Sequence, residues 1–119
     1  HHLKNSEKWN EQFNFFYPNK NLKPSWFGFP MLINPKYLNK KEKFLNFLNK
    51  NKVETRPIIS GNFVNQPATK LYNIKFDLKK LYNSNQIDRR GFFIGLPTTK
   101  LLTREIKKLS ELLLKISQF

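Results

Sequence analysis

Apolar positions along this chain follow two rhythms, one helical and one extended. Near the C-terminal end, Leu102, Ile106, Leu109, Leu113 and Ile116 step by 4, 3, 4 and 3 residues, which draws one stripe along a helix. Thr103 is placed to cap that helix, and Glu105 suits the positive end of its dipole. The stripe is read as a seam facing a core, with a partner-binding surface as the alternative. Trp9, Phe13 and Phe16 have similar spacing and predict a short helix over Ser6 to Phe16. No convincing cap precedes it, so the chain reads as a piece of something longer. Pro18, Asn19, Asn21 and Pro24 then mark a loop. Asn39 to Lys52 reads as a helix with Phe44, Leu45, Phe47 and Leu48 on its buried side.

The extended runs are Trp26 to Ile33, Val53 to Ile59 and Phe92 to Leu96. Pro30 cannot donate to a ladder, which predicts an edge strand or a bulge at that point. Ser60, Gly61 and Asn62 supply a turn where the backbone can take positive φ or lie close to a ligand. Asn65 to Asp77 reads as irregular, and Ser84 to Arg90 as a short helix leading through Gly91 into the third strand. This order fits an α+β, two-layer domain with a sheet of about three strands covered by helices on one face.

At 119 residues the chain holds one core, and its 12 Phe predict that the core is assembled from aromatic rings. The net charge of +14 suggests an anionic partner, yet Lys and Asn are spread over the whole chain. That spread fits a coding bias at solvated positions better than a basic stripe for a phosphate backbone. A small basic module that stacks Phe and Tyr on nucleic-acid bases is the competing reading. A free-standing, non-catalytic oligomerisation domain is a third. With no Cys, disulfides and thiolate metal sites are excluded. No apolar stretch approaches the roughly 18 residues of a membrane span, and His1-His2-Leu3-Lys4-Asn5 is no signal peptide. The expected compartment is therefore the cytoplasm. His1 and His2, native or the remnant of a tag, offer only two ligands to a metal.

With His confined to the first two positions, no nucleophilic triad can be assembled from the rest of the chain. Gly28, Gly61, Gly91 and Gly95 are isolated and form no phosphate-binding loop. Two segments carry more than a core requires. In Glu54-Thr55-Arg56-Pro57, continuing through Ile59-Ser60-Gly61-Asn62 to Gln66-Pro67, an acid and a guanidinium share one face of a strand. The guanidinium fork suits a carboxylate or a phosphate, and an internal Glu54–Arg56 pair decorating the strand is the equal alternative. The second segment, Gly91-Phe92-Phe93-Ile94-Gly95-Leu96-Pro97, reads as a core strand with tight ends.

Ser25-Trp26-Phe27-Gly28-Phe29-Pro30, the Arg56 to Pro67 stretch and Gly91 to Gly95 stand in an order and spacing that resemble the DegT/DnrJ family of sugar aminotransferases. The resemblance runs from about Trp9 to the final helix and is strongest to the branch containing the NDP-4-keto-6-deoxyhexose 3-dehydratases. Arg90 and Leu96 stand where many relatives carry His and Asn. The resemblance implies the C-terminal small domain of a fold-type-I enzyme, with residues 1–24 ending an interdomain helix and linker and residues 25–119 forming the domain. It also implies pyridoxal phosphate, bound by a large domain outside this chain, together with a homodimer and no membrane partner. A nucleotide-linked 4-keto-6-deoxy sugar and glutamate would be the substrates, for 3-dehydration or transamination on the way to lipopolysaccharide. By the same implication Glu54, Arg56, Ser60, Gly61 and Asn62 line the substrate cleft, and no catalytic residue lies in this chain.

Overall fold

The computed structural model describes residues 6–119; His1 and His2 lie outside the described residues. Helix α1 (Glu7–Gln12) runs directly into strand β1 (Phe13–Phe15), followed by a long loop and β2 (Gly28–Ile33). Helix α2 (Lys41–Lys50) continues from a 3-10 turn at Pro35–Lys40, where the Asn34 side chain accepts from the Lys36 amide at 3.1 Å. The two-residue β3 (Thr55–Arg56), the short α3 (Pro67–Leu71), α4 (Tyr82–Arg90), β4 (Gly91–Gly95) and α5 (Thr103–Leu113) complete the fold. The domain is α+β, and its antiparallel sheet has four strands in the order β1-β2-β4-β3.

The fourth strand corrects the expected helix over Ser6 to Phe16. Phe13 is buried, Asn14 exposed and Phe15 half-buried, so the residues that continue a helical stripe also alternate with period 2. Sheet pairing with Met31 to Ile33 overrides the weak local signal. Pro30 lies in an inner strand rather than at an edge. Leu96 donates to the Phe27 carbonyl, so the odd-numbered β2 residues bond β4 and the even-numbered ones point towards β1. β1 ends at Phe15 opposite Met31, one residue short of Pro30. The missing N–H of Pro30 therefore faces a lane that is already vacant.

Phe29, Met31 and Ile33 of β2 share one sheet face with Phe92 and Ile94 of β4 and with Phe13 and Phe15 of β1. Trp9 of α1, Phe44 and Leu48 of α2, Leu113 of α5 and Ile116 cover that face and close the core. The Phe13 ring centroid lies 5.4 Å from Trp9, 6.1 Å from Phe44 and 6.2 Å from Phe92, so aromatic rings do form the centre. The expectation that helices cover one face alone does not hold. α4 lies across the other face, where Leu32, Ile87 and Arg90 share a hollow and the Ile58 side chain lies against Gly91.

Three boundaries differ locally from the sequence reading. The strand expected over Val53 to Ile59 keeps only Thr55 and Arg56, because Pro57 ends the ladder. Asn49 Oδ1 takes up the outward Thr55 amide at 3.1 Å, so this sheet edge is blocked by a side chain. At α5 the capping group is Glu105, whose carboxylate accepts from the Leu102 amide at 2.7 Å, and Thr103 is already helical. Asn65 to Asp77 contains α3 rather than wholly irregular chain, since Pro67 starts a helix readily.

Helix α2 ends in a Schellman motif. The Val53 amide donates to Leu48 and the Lys52 amide to Asn49, each at 3.0 Å, with Lys52 at a φ of 62°. A lysine thus occupies the left-handed position that glycine fills at lower cost. Lys52→Gly is expected to raise unfolding stability by about 1 kcal/mol, read by urea denaturation. An unchanged or lower midpoint would contradict this description of the helix end.

The accessible surface is 9429 Å², against about 6,800 Å² for a monomeric protein of this mass. Much of the excess is apolar. Phe27, Ile59, Leu71 and Tyr72 are each at least 72% exposed.

Candidate functional site

An open groove of about 570 Å³ runs along the β3 edge of the sheet. Phe27, Phe93, Leu96 and Pro97 give it apolar walls, while Lys52, Glu54 and Arg56 form its polar rim. Glu54 and Arg56 flank Thr55, so these two side chains belong to one face of the strand, and Lys52 joins the rim from the left-handed end of α2. The ladder pairs Arg56 with Phe93, and the next position in that register sets Glu54 opposite Gly95. Arg56 donates from Nε to Glu54 Oε1 at 2.8 Å, and its Nη2 lies 2.7 Å from the same oxygen.

The expected internal pair is therefore present, and it leaves the other edge of the guanidinium towards solvent. Both partners are largely exposed, Arg56 by 63% and Glu54 by 72%, so the pair holds the fork in place for less than about 1 kcal/mol. An anion entering the groove can compete for the fork.

The other expected cleft residues fall into two groups. Ser60 and Gly61 form the anticipated turn, with Gly61 at a φ of 65° and its amide donating to the Ile58 carbonyl at 2.6 Å. What approaches Gly61 closely is the Asp88 carboxylate, which would meet a Cβ there. Asn62 is 2% exposed; its Nδ2 donates to Asn85 Oδ1 at 2.6 Å and its Oδ1 accepts from the Val64 amide. These contacts fasten the loop to α4, and neither Ser60, Gly61 nor Asn62 lines the groove that holds Glu54 and Arg56. Leu96 does line it, whereas Arg90 is engaged at the β1–β2 end of the sheet, outside the groove.

Two groove residues escaped the sequence reading. Lys52 was legible only as a helix residue, although Asn-Lys-Val after a helical run is where a glycine-type stop is expected. Gly95 was taken as the tight end of a strand. A Cβ built there meets nothing within 4 Å, so neither packing nor backbone conformation demands glycine.

Pyridoxal phosphate does not fit the residues present. Lys41 is the lysine whose pKa burial lowers, but its Nζ donates to the Arg89 and Gly91 carbonyls at 2.7 and 3.2 Å. It caps the C-terminal end of α4 and is not offered to a ligand. The groove lysine, Lys52, stands in an open channel beside a salt bridge, with no enclosed bed for a cofactor ring.

No family model matches the chain. It is 32% identical over 92 residues, 74% of its own length, to the lipopolysaccharide biosynthesis protein RfbH of Salmonella typhimurium. Among solved structures it resembles the E. coli GDP-4-keto-6-deoxy-D-mannose-3-dehydratase with bound hydrated pyridoxal phosphate, at 25% identity and a TM-score of 0.67. A GDP-4-keto-6-deoxymannose-3-dehydratase (ColD) variant with bound GDP-perosamine superposes equally well, at 26% identity and a TM-score of 0.67. Each structural match covers 90% of this chain. The chain spans 21% of the curated relative and 27% and 28% of the two structures. Pyridoxal phosphate is the cofactor of these full-length proteins' family. Fold and sequence agree on the outcome: the chain resembles the C-terminal small domain of DegT/DnrJ-type sugar-nucleotide enzymes.

Proposed function

We propose that this chain is the small domain of a pyridoxal-phosphate-dependent 3-dehydratase acting on a nucleotide-linked 4-keto-6-deoxy sugar. The observation that carries this reading is the match of 90% of the chain to two GDP-4-keto-6-deoxymannose 3-dehydratases. Glutamate serves as the amino donor and the product feeds lipopolysaccharide or another surface glycan. The RfbH relative, a lipopolysaccharide biosynthesis protein, supports that placement. In the complete enzyme, pyridoxal phosphate supplies an electron sink for the sugar. This chain contributes one wall of the cleft, orienting the substrate and excluding water.

Glu54 and Arg56 carry the contact with substrate, and the Ser60-Gly61-Asn62 loop holds the cleft wall in register with α4. Residues 1–24 connect the two domains while lending Trp9 and Phe13 to the small domain's own core. The enzyme is a cytoplasmic homodimer. Among the described residues no helix is long and apolar enough to cross a membrane. The excess apolar surface is of the size that a large domain or a second subunit covers.

The test is to incubate the full-length protein carrying this chain with GDP-4-keto-6-deoxymannose and glutamate, and to follow products by mass spectrometry. A 3-deoxygenated sugar nucleotide is expected. A 4-amino sugar would make the enzyme an aminotransferase, and an unchanged substrate would remove the sugar-nucleotide reading.

A further inference from the structure

Between α3 and α4 the chain makes an excursion that the core does not use. Residues 70–80 are exposed without interruption, and Leu71, Tyr72, Ile74, Phe76, Leu78 and Tyr82 are each 44% to 78% exposed. Lys70, Lys75, Lys79 and Lys80 are interleaved with them against a single acid, Asp77, so four lysines less one aspartate leave the stretch at +3. None of the four lysines forms an ion pair among the described residues. Both ends of this arm are fastened. α3 closes in a Schellman motif, with the Ile74 amide donating to Thr69 at 2.9 Å, the Asn73 amide to Lys70 at 3.2 Å, and Asn73 at a φ of 49°. Asp77 Oδ1 accepts from the Lys79 amide at 3.0 Å and starts the 3-10 turn at Leu78–Leu81 that leads into α4. The one carboxylate of the arm is thereby engaged by the backbone.

We propose that residues 70–82 dock on an anionic lipid surface, with apolar side chains at the acyl-chain boundary and lysines among the headgroups. The mixed composition makes the choice of occupant. The cores of protein–protein contacts are depleted of Lys, so four unpaired lysines among large apolar residues suit neither a second subunit nor a companion domain. The hollow of Trp26, Phe27, Ile58 and Ile59, which no charged residue lines, is the surface that fits a protein partner. Nucleic acid would use the lysines and the aromatic rings, but it gives Leu71, Ile74 and Leu78 nothing to enter. A bilayer interface accepts both kinds of side chain: apolar groups sink to the headgroup boundary, and each Lys gains from the negative surface potential. Attachment of this kind requires no spanning helix. The inference is independent of the sugar-nucleotide reading, since the arm shares no residue with the groove of Glu54 and Arg56.

The experiment is co-sedimentation of the full-length protein carrying this chain with vesicles of equimolar phosphatidylcholine and phosphatidylglycerol, against vesicles of phosphatidylcholine alone. Binding to the anionic vesicles at ~0.1 M salt is expected to be at least about tenfold stronger than to the neutral ones, with release at ~0.5 M salt. Replacing Lys70, Lys75, Lys79 and Lys80 together by Gln should weaken that binding by at least about a hundredfold. Leu71→Ser combined with Leu78→Ser keeps every charge and should weaken it by about tenfold. All of these positions are exposed, so both variants should melt at the temperature of the parent protein. Equal binding to the two kinds of vesicle, unchanged binding in either variant, or retention on a single-stranded oligonucleotide with none on vesicles overturns the assignment. So does absence of binding at ~0.1 M salt, which would mean that the rest of the full-length protein covers the arm.

Discussion

Phe92→Ala is expected to destabilise the domain by about 4 kcal/mol, measured as a fall in the urea midpoint at constant slope. Phe92 is fully buried in the central strand pair and packs against Phe13 at 6.2 Å and Phe44 at 6.1 Å. Its removal leaves a cavity bounded by rings that are themselves held by Trp9, Met31 and Leu48. Rigid aromatic neighbours collapse poorly into such a space, which places the cost at the upper end of the range for large-to-small changes. Domains of this size carry only about 5 to 15 kcal/mol in total, so the variant should be partly unfolded at 37 °C. A loss below about 1 kcal/mol would show that the sheet and α2 do not share one core through this ring.

The second large effect is expected at Arg90, whose guanidinium ties three elements together. Its Nε donates to the Ile33 carbonyl at 2.7 Å, Nη1 to Gln86 Oε1 at 3.0 Å and Nη2 to Asn14 Oδ1 at 2.6 Å. Strands β1 and β2 and helix α4 thus meet on one planar fork. Arg90→Ala should cost about 2 to 3 kcal/mol, because charged hydrogen bonds are lost and partly buried acceptors are left without a donor. Arg90→Lys should recover less than half of that, since one ammonium cannot reproduce three directions. Differential scanning calorimetry of both variants checks the ranking. Full recovery by Lys would mean that only the charge matters.

Arg90 also shows how a motif-level departure is read physically. The resemblance to the family marks it as unusual, and the structure assigns it to scaffolding where β1, β2 and α4 meet, outside the groove. Leu96, the other departure, stays on the groove and belongs to the specificity question.

Long periodic stretches were legible from the chain alone. The α2 and α5 seams, the Gly91 to Gly95 strand and the turn at Gly61 all follow from spacing and glycine chemistry. β1 was not legible, because Trp9, Phe13 and Phe16 satisfy a helical period while Phe13 and Phe15 satisfy a strand period; only the β2 partner decides between them. The position of α4 behind the sheet was hidden for a similar reason. Its one strong apolar residue, Ile87, does not draw a stripe. In the site, the Glu54–Arg56 pair followed from their two-residue spacing on a strand. The inward turn of Asn62 could not be foreseen, since its partner Asn85 lies 23 residues away.

Pro30 has an effect beyond its own strand. Because it offers no proton on the side facing β1, a longer first strand would find an acceptor opposite it and no donor. The neighbouring segment is thereby obliged to leave the sheet at Phe16, and the chain runs without strand pairing to β1 until β2 begins at Gly28. A single imino acid thus sets where rigid scaffold gives way to connecting chain, and it does so from across the ladder.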